Sequence, residues 1–172
     1  GINVGGHKRV SMAELRSLFD ELGFDDVQSL LQSGNVVFRA DRTETPALEQ
    51  LLETAAKERL GIETVFFVRT AAEWKTVVAR NPFPQEAKED PSHLLVMCLH
   101  QRPKAAAVKS LEAAIRGSEV LRVSGREAYI VYPDGVGRSR LTNTLIERKL
   151  GTSGTARNWS TVVKLAALAS PS

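Results

Sequence analysis

From residue 12 the apolar positions Met12, Leu15, Leu18, Phe19 and Leu22 fall three and four apart, the spacing that lines one face of an α-helix. Ser11 stands just before them with Glu14 three residues on, a capping box in which hydroxyl and carboxylate satisfy otherwise orphaned amides, and Gly23 predicts the end of the helix. Two extended stretches follow, 26 to 31 and 35 to 39, joined or bent at Ser33-Gly34, where glycine permits a bulge or a tight turn. After a polar turn at 40 to 44, Thr45-Pro46 opens a second helix, with proline at the first helical position. Its stripe is Leu48, Leu51, Leu52, Ala55 and Leu60, up to Gly61. A strand is predicted over 64 to 69, and Thr70 with Glu73 forms a second capping box. Trp74, Val77 and Val78 then mark a short helix that Asn81-Pro82 ends.

Residues 81 to 92, NPFPQEAKEDPS, hold three prolines and read as a connector. Beyond it the pattern restarts: a strand at 93 to 100, a helix over about 103 to 116 with Val108, Leu111 and Ile115 inward, and a hairpin of 119 to 124 with 127 to 132 turning at Gly125-Arg126. Helices are predicted over about 141 to 150 and about 158 to 168, with Thr155 or Asn158 as cap and Trp159 in the core. The fold class expected is α+β, with two ferredoxin-like (split βαβ) halves in one chain: an N-terminal subdomain over 1–84 and a C-terminal variant over 85–172 that ends in helices. GINV reads as the tail of a strand, so the first strand is expected to be truncated at the N-terminus.

Composition changes this picture little. The chain has 172 residues, 42% of them hydrophobic and 25% charged, as in ordinary globular domains. The longest apolar runs, such as LLVMCL at 94 to 99, are far too short to span a bilayer, and no charged-then-apolar leader precedes them, so no membrane or secretory role is expected and the address is cytoplasmic. A single cysteine, Cys98, leaves no internal disulfide or cysteine-based zinc cluster, and its apolar run makes it a core thiol. Charge is more informative. Residues 1 to 100 carry 11 basic and 15 acidic side chains, whereas residues 101 to 172 carry 12 and 5, so the basic excess is all C-terminal.

Three stretches carry polar and glycine residues that packing does not explain: GINVGGHKR at the start, QSGNVVF at 32 to 38, and TARNWSTVVKL at 155 to 165. In the first, Gly1 and Gly6 have the spacing of a phosphate-binding P-loop, but Lys8 is one place late and no Ser or Thr follows to hold magnesium. What remains is a strand-to-helix turn in which Asn3, Gly5, Gly6 and Lys8 offer free amides and a cation to a phosphate or carboxylate, against the plainer reading that the glycines only turn the chain. In the second, Gln32, Ser33 and Asn35 surround a glycine and read as a cleft edge; Ser33 lacks the context of a nucleophile elbow. In the third, Arg157 and Asn158 are expected at a helix start, where the macrodipole disfavours a cation unless an ion pair or bound anion offsets it. Arg138, after a glycine-rich turn, is a further candidate anion contact.

No metal or cofactor is expected. His93 and His100 are seven apart on one predicted strand and so face opposite ways, and no acidic pair stands at ligand spacing. Tyr129 and Tyr132 also fall on opposite faces, which, with the missing signature motif, argues against an RNA-stacking sheet.

Taken together and in this order, with SMAELR between the first two, the three stretches closely resemble a bacterial family known only as domain of unknown function 1697. The resemblance implies cytosolic proteins of two ferredoxin-like halves, with an apolar strand ahead of the GINVGG turn, and it implies no activity or catalytic residue. The expected function is therefore binding of a small anionic ligand, a nucleotide or phosphorylated metabolite, in a cleft formed by the three stretches. The alternative is a nucleic-acid-binding or regulatory module that uses the basic C-terminal half. An interaction domain with an exposed sheet edge is the third class considered.

Overall fold

The computed structural model describes the backbone of residues 2–4 and 8–41, and residues 44–170, with side chains from Arg9 onward. It is a mixed α+β chain that divides into two compact units, Gly1–Glu73 with Leu165–Ser172, and Trp74–Lys164.

In the first unit, β1 (Ile2–Val4) pairs antiparallel with β2 (Lys8–Val10), in the register Asn3 opposite Arg9 and Val4 opposite Lys8. Residues 8–10 are therefore a paired strand and not part of a turn that leads directly into the helix; Gly5, Gly6 and His7 lie outside the described residues. Helix α1 (Met12–Glu21) begins as its sequence dictates, with Ser11 Oγ accepting from the Glu14 amide at 3.1 Å and the Glu14 carboxylate accepting from the Ser11 amide at 2.8 Å. A side-chain cap of this kind is worth about 1 kcal/mol. Strands β3 (Asp25–Leu30) and β4 (Asn35–Arg39) pair antiparallel with a bulge between Asp25 and Gln28. Asp26 takes a left-handed φ of 51° at that bulge, a conformation aspartate tolerates better than most side chains.

Helix α2 (Thr45–Ala55) runs on through a π turn, Ala56–Leu60, to Gly61 in the left-handed region. Of its apolar stripe Leu48, Leu52 and Ala55 are buried and Leu60 is partly buried, whereas Leu51, which the predicted pattern placed inward, is exposed. The core joins Leu15, Leu18 and Phe19 of α1 to Leu52, Ala55 and Ala56, with Phe24, Phe38 and Phe66 packed around the Phe19 ring. The Phe19 and Phe38 rings meet edge to face at 4.9 Å.

The strand predicted over 64 to 69 is not formed among the described residues. Instead of a neighbouring strand, two carboxylates one turn apart on α2 take alternate amides of this segment: Glu53 accepts from Phe66 at 3.1 Å and Glu49 from Val68 at 2.8 Å. Glu49 is buried and also faces the buried Arg69 guanidinium at 3.7 Å. Burial demands partners for peptide amides, and the helix supplies them.

Helix α3 (Ala71–Ala79) crosses from the first unit into the second. A short helix, α4 (Pro84–Glu89), occupies the segment read as a connector. The second unit then runs β5 (Leu94–Leu99), α5 (Ala105–Ala114), β6 (Val120–Ser124), β7 (Glu127–Val131), a 3₁₀ turn over Val136–Arg138, α6 (Asn143–Leu150), β8 (Gly154–Asn158) and α7 (Trp159–Ala169). The strand β8 was not foreseen: TARN reads as the approach to a helix, and it pairs with the edge of the sheet. The four strands form one antiparallel sheet in the order β6-β7-β5-β8.

Strand alternation gives this sheet two faces. One carries Met97, Leu99, Leu121, Ala128 and Ile130 against Leu111 of α5 and Ile146 and Leu150 of α6. Gly154 lies in β8 on this face, where a Cβ would come within 2.5 Å of Met97 Cε, so any larger residue there must push the methionine aside. On the opposite face Tyr129 donates from its hydroxyl to the Val77 carbonyl of α3 at 2.6 Å, and the Trp74 indole donates to the Val162 carbonyl of α7 at 3.0 Å. Burial pushes the Tyr129 and Tyr132 phenols up to about 12, with the neighbouring carboxylates of Glu127 and Glu119 adding to the effect.

Candidate functional site

Cross-strand register decides which side chains stand together on the face that meets α3 and α7. Ser124 pairs with Glu127, Glu127 with Cys98, and Cys98 with Thr155, so these four residues form one row across the sheet. The next row is Arg122, Tyr129, Val96 and Arg157. Arg157 and Thr155 are two apart on β8 and share this face, while Glu127 sits two strands away, about 9–10 Å at ordinary strand spacing.

Arg157 therefore stands in a strand, not in the first turn of a helix as its sequence context suggested. The helix macrodipole is not its main influence; the sheet is. Its Nη1 donates to Thr155 Oγ1 at 2.7 Å and to the Ala156 carbonyl at 2.8 Å, which turns the guanidinium back along its own strand. Withdrawal from water lowers the pKa of the guanidinium below its usual value, an effect that nearby Cys98 opposes. A guanidinium remains cationic under such conditions. Asn158 is the N-cap of α7, its Oδ1 accepting from the Thr161 amide at 3.0 Å, so its side-chain carbonyl is committed to the helix. Trp159 is buried, as expected.

The QSGN stretch is a turn between β3 and β4. Asn35, only 7% exposed, donates from Nδ2 to the Leu30 carbonyl and to Ser33 Oγ, both at 3.0 Å. This is turn chemistry: Leu31 and Gly34 both adopt positive φ, 61° and 84°, and the asparagine amide ties the two ends of the loop together. Leu31 is strained in this conformation and is 52% exposed. Gln32 and Ser33 are exposed beside it. Asn3 and Lys8 lie on the paired strands β1 and β2, whereas Gly5 and Gly6 fall outside the described residues. Arg138 stands exposed on the 3₁₀ turn, and no described hydrogen bond joins it to Arg157 or Asn158.

Reading the sequence missed that Glu127, Cys98 and Thr155 share a sheet face with Arg157. The pairing of Ser124 with Glu127 was legible, because a two-residue turn at Gly125-Arg126 fixes it. The placement of β8 beside β5 had no local signal. Elsewhere, an open groove of about 250 Å³ beside the π turn is lined by Glu53, Thr54, Lys57, Glu63 and Thr64, none of them a predicted site residue. Lys57 and Glu63 pair there at 2.7 Å. Among the described residues no group of His, Cys, Asp and Glu is placed to hold a metal ion, and no helix is long and apolar enough to cross a membrane.

Fold and site together define an α+β protein that carries a half-buried arginine and a row of hydroxyl, thiol and carboxylate groups on one face of an antiparallel sheet. The chain belongs to the family described as protein of unknown function (DUF1697), whose model matches residues 1–129. Its fold is similar to that of a conserved bacterial protein from Streptococcus pneumoniae, at a TM-score of 0.73 and 21% identity, with 99% of this chain and 94% of that chain covered. No curated protein matches the chain.

Proposed function

We propose that this protein binds a small anionic ligand, a nucleotide or phosphorylated metabolite, and that Arg157 supplies the principal charge. The observation that carries this reading is the setting of the guanidinium: it is drawn out of water onto a sheet face and oriented by two neutral acceptors, Thr155 Oγ1 and the Ala156 carbonyl. An arginine held in this way offers a preorganised donor fork to a phosphate or carboxylate. The Thr155 hydroxyl and the Cys98 thiol lie on the same face and would bound the ligand. The proposal rests on the second unit; Lys8, Gln32 and Ser33 belong to the first.

The test is a thermal-shift screen of nucleotides, sugar phosphates and inorganic phosphate against the wild-type chain and Arg157→Met. A ligand at one hundred times its dissociation constant stabilises by about 2.7 kcal/mol, and this gain should vanish in the variant. If no anionic compound stabilises the wild type, or the gain survives in Arg157→Met, the proposal fails.

We further propose that both halves follow the ferredoxin-like pattern and that the protein works in a bacterial cytoplasm. The βαββαβ order of the second unit and its sheet order β6-β7-β5-β8 support the first statement, and the first unit supplies α1, β3, β4 and α2 in the corresponding order. The single buried cysteine supports the second. Fractionation of cells producing the native protein would contradict the address if the chain sediments with membranes.

A further inference from the structure

Helices α5 and α6 pack on each other over one face of the second unit's sheet and turn their other sides outward. They run antiparallel, because hydrogen bonds from His100 to Ser153 and from Gln101 to Thr152 tie the approach to α5 to the exit from α6. Arg102, Lys104 and Arg148 are exposed around that end. At the other end, Ser118 donates to Asp134 at 3.0 Å and Ser139 donates to Glu119, which holds the loop carrying Arg116 against the loop carrying Arg138 and Arg140. Lys109 lies between the two groups, exposed on α5, a helix of ten residues and so about 15 Å long.

What sets this layer apart is how its acids are used. Asp134 and Glu119 accept from serine hydroxyls, and Glu147 accepts from the Gly154 amide at 2.8 Å. Glu112 is the remaining acid of the layer, and no described ion pair joins any of these carboxylates to a cation of α5, α6 or their loops. In the first unit, by contrast, Arg39, Lys57, Arg59 and Arg69 each face a carboxylate. Residues 101–119 and 134–150 carry eight Lys and Arg against four Asp and Glu, so this layer keeps a positive excess of four, with exposed cations at both ends and in the middle of a span of about 15 Å.

We infer that the outer surface of α5 and α6 docks the phosphate backbone of a double-stranded nucleic acid, a partner distinct from the small ligand proposed for Arg157. The match is one of charge and length: a duplex presents one negative charge per about 1.7 Å of axis, so a 15 Å face meets several phosphates at once. A single strand fits less well, because single-strand sites stack bases on aromatic rings and residues 101–119 and 134–150 contain none. Contacts from these side chains to phosphates carry no sequence information, so binding is sequence-independent.

Fluorescence anisotropy with a mixed-sequence 20-base-pair DNA duplex tests this at increasing salt. With about four phosphates neutralised, the logarithm of affinity should fall with the logarithm of salt at a slope of about −3.6, on the order of a hundredfold loss between 50 and 200 mM. The variants Lys109→Glu/Arg148→Glu and Arg138→Glu/Arg140→Glu change only exposed side chains, and each should weaken binding and flatten the slope without lowering the melting temperature. Arg157→Met should bind the duplex as the wild type does, which separates this surface from the small-ligand site. The inference is overturned if the duplex does not bind at 20 mM salt, if both charge-reversed variants bind like the wild type, or if polyglutamate of equal charge competes as well as the duplex, which would make the surface a general dock for acidic proteins.

Discussion

Replacing Glu49 by alanine tests how the 64 to 69 segment is held without a strand beside it. The Glu49 side chain is 5% exposed and the Arg69 side chain 4% exposed, so both charges sit out of water at a separation of 3.7 Å. The same carboxylate accepts the Val68 amide at 2.8 Å. Removing one member of a buried ion pair costs about 3–5 kcal/mol, because the charge left behind has lost a counter-charge in a place that water does not reach. Orphaning a buried amide costs about 1–3 kcal/mol more when nothing replaces the acceptor. The two losses share one group and do not add, so about 4 kcal/mol is expected for Glu49→Ala. Glu49→Gln keeps an oxygen for the Val68 amide and loses only the charge, and should cost about half as much. The double variant Glu49→Met/Arg69→Met removes both charges and should recover much of the loss. Denaturant unfolding measures the totals, and amide hydrogen exchange at Val68 reports the local effect. The reasoning is wrong if Glu49→Ala unfolds within about 1 kcal/mol of wild type while the Val68 amide keeps its protection.

Other consequences follow from particular side chains. Tyr129 and Tyr132 have phenols raised to about 12 against about 10 in the unfolded chain, so the neutral form is favoured by folding; each contributes at most about 2.7 kcal/mol below pH 10, lost as pH climbs toward 12. Denaturant midpoints measured from pH 8 to 12 should fall across that window, and Tyr132→Phe should make the fall shallower. Asn35→Asp replaces a donor with an acceptor facing the Leu30 carbonyl and Ser33 Oγ, and should destabilise by about 2 kcal/mol, more than Asn35→Ala, as read from thermal unfolding. Gly154→Ala forces Met97 Cε to move and should cost about 1–3 kcal/mol by the same measurement.

Helices with a cap and a stripe were legible from the sequence. Ser11 with Glu14, and Met12 through Phe19, specify α1 by local chemistry alone, and the structure returns the same cap and the same buried face. The hairpin at Gly125-Arg126 was equally plain, because a two-residue turn sets its own register. Residues 64 to 69 misled because a run of β-prone apolar residues reports an extended backbone and not what bonds it; here the acceptors are glutamates 13 and 19 residues earlier in sequence than the amides they take. Strand β8 was missed because its five residues become a strand only by lying against β5, a contact more than 50 residues apart. The candidate site suffered most from this. Arg157 was singled out for a reason that does not hold, an unfavourable helix dipole, yet it lies on a sheet face among polar groups that register alone brings together. Asn35, read as a cleft edge, is engaged in closing its own turn.

The central claim is that Arg157 meets an anion, and the side-chain Nε–Hε resonance of Arg157 tests it most directly. Titration with the stabilising nucleotide or sugar phosphate should shift that resonance and the Thr155 amide along one saturable curve, with the Asn158 amide following. A titration in which the ligand binds while the Arg157 and Thr155 signals stay fixed would contradict the account.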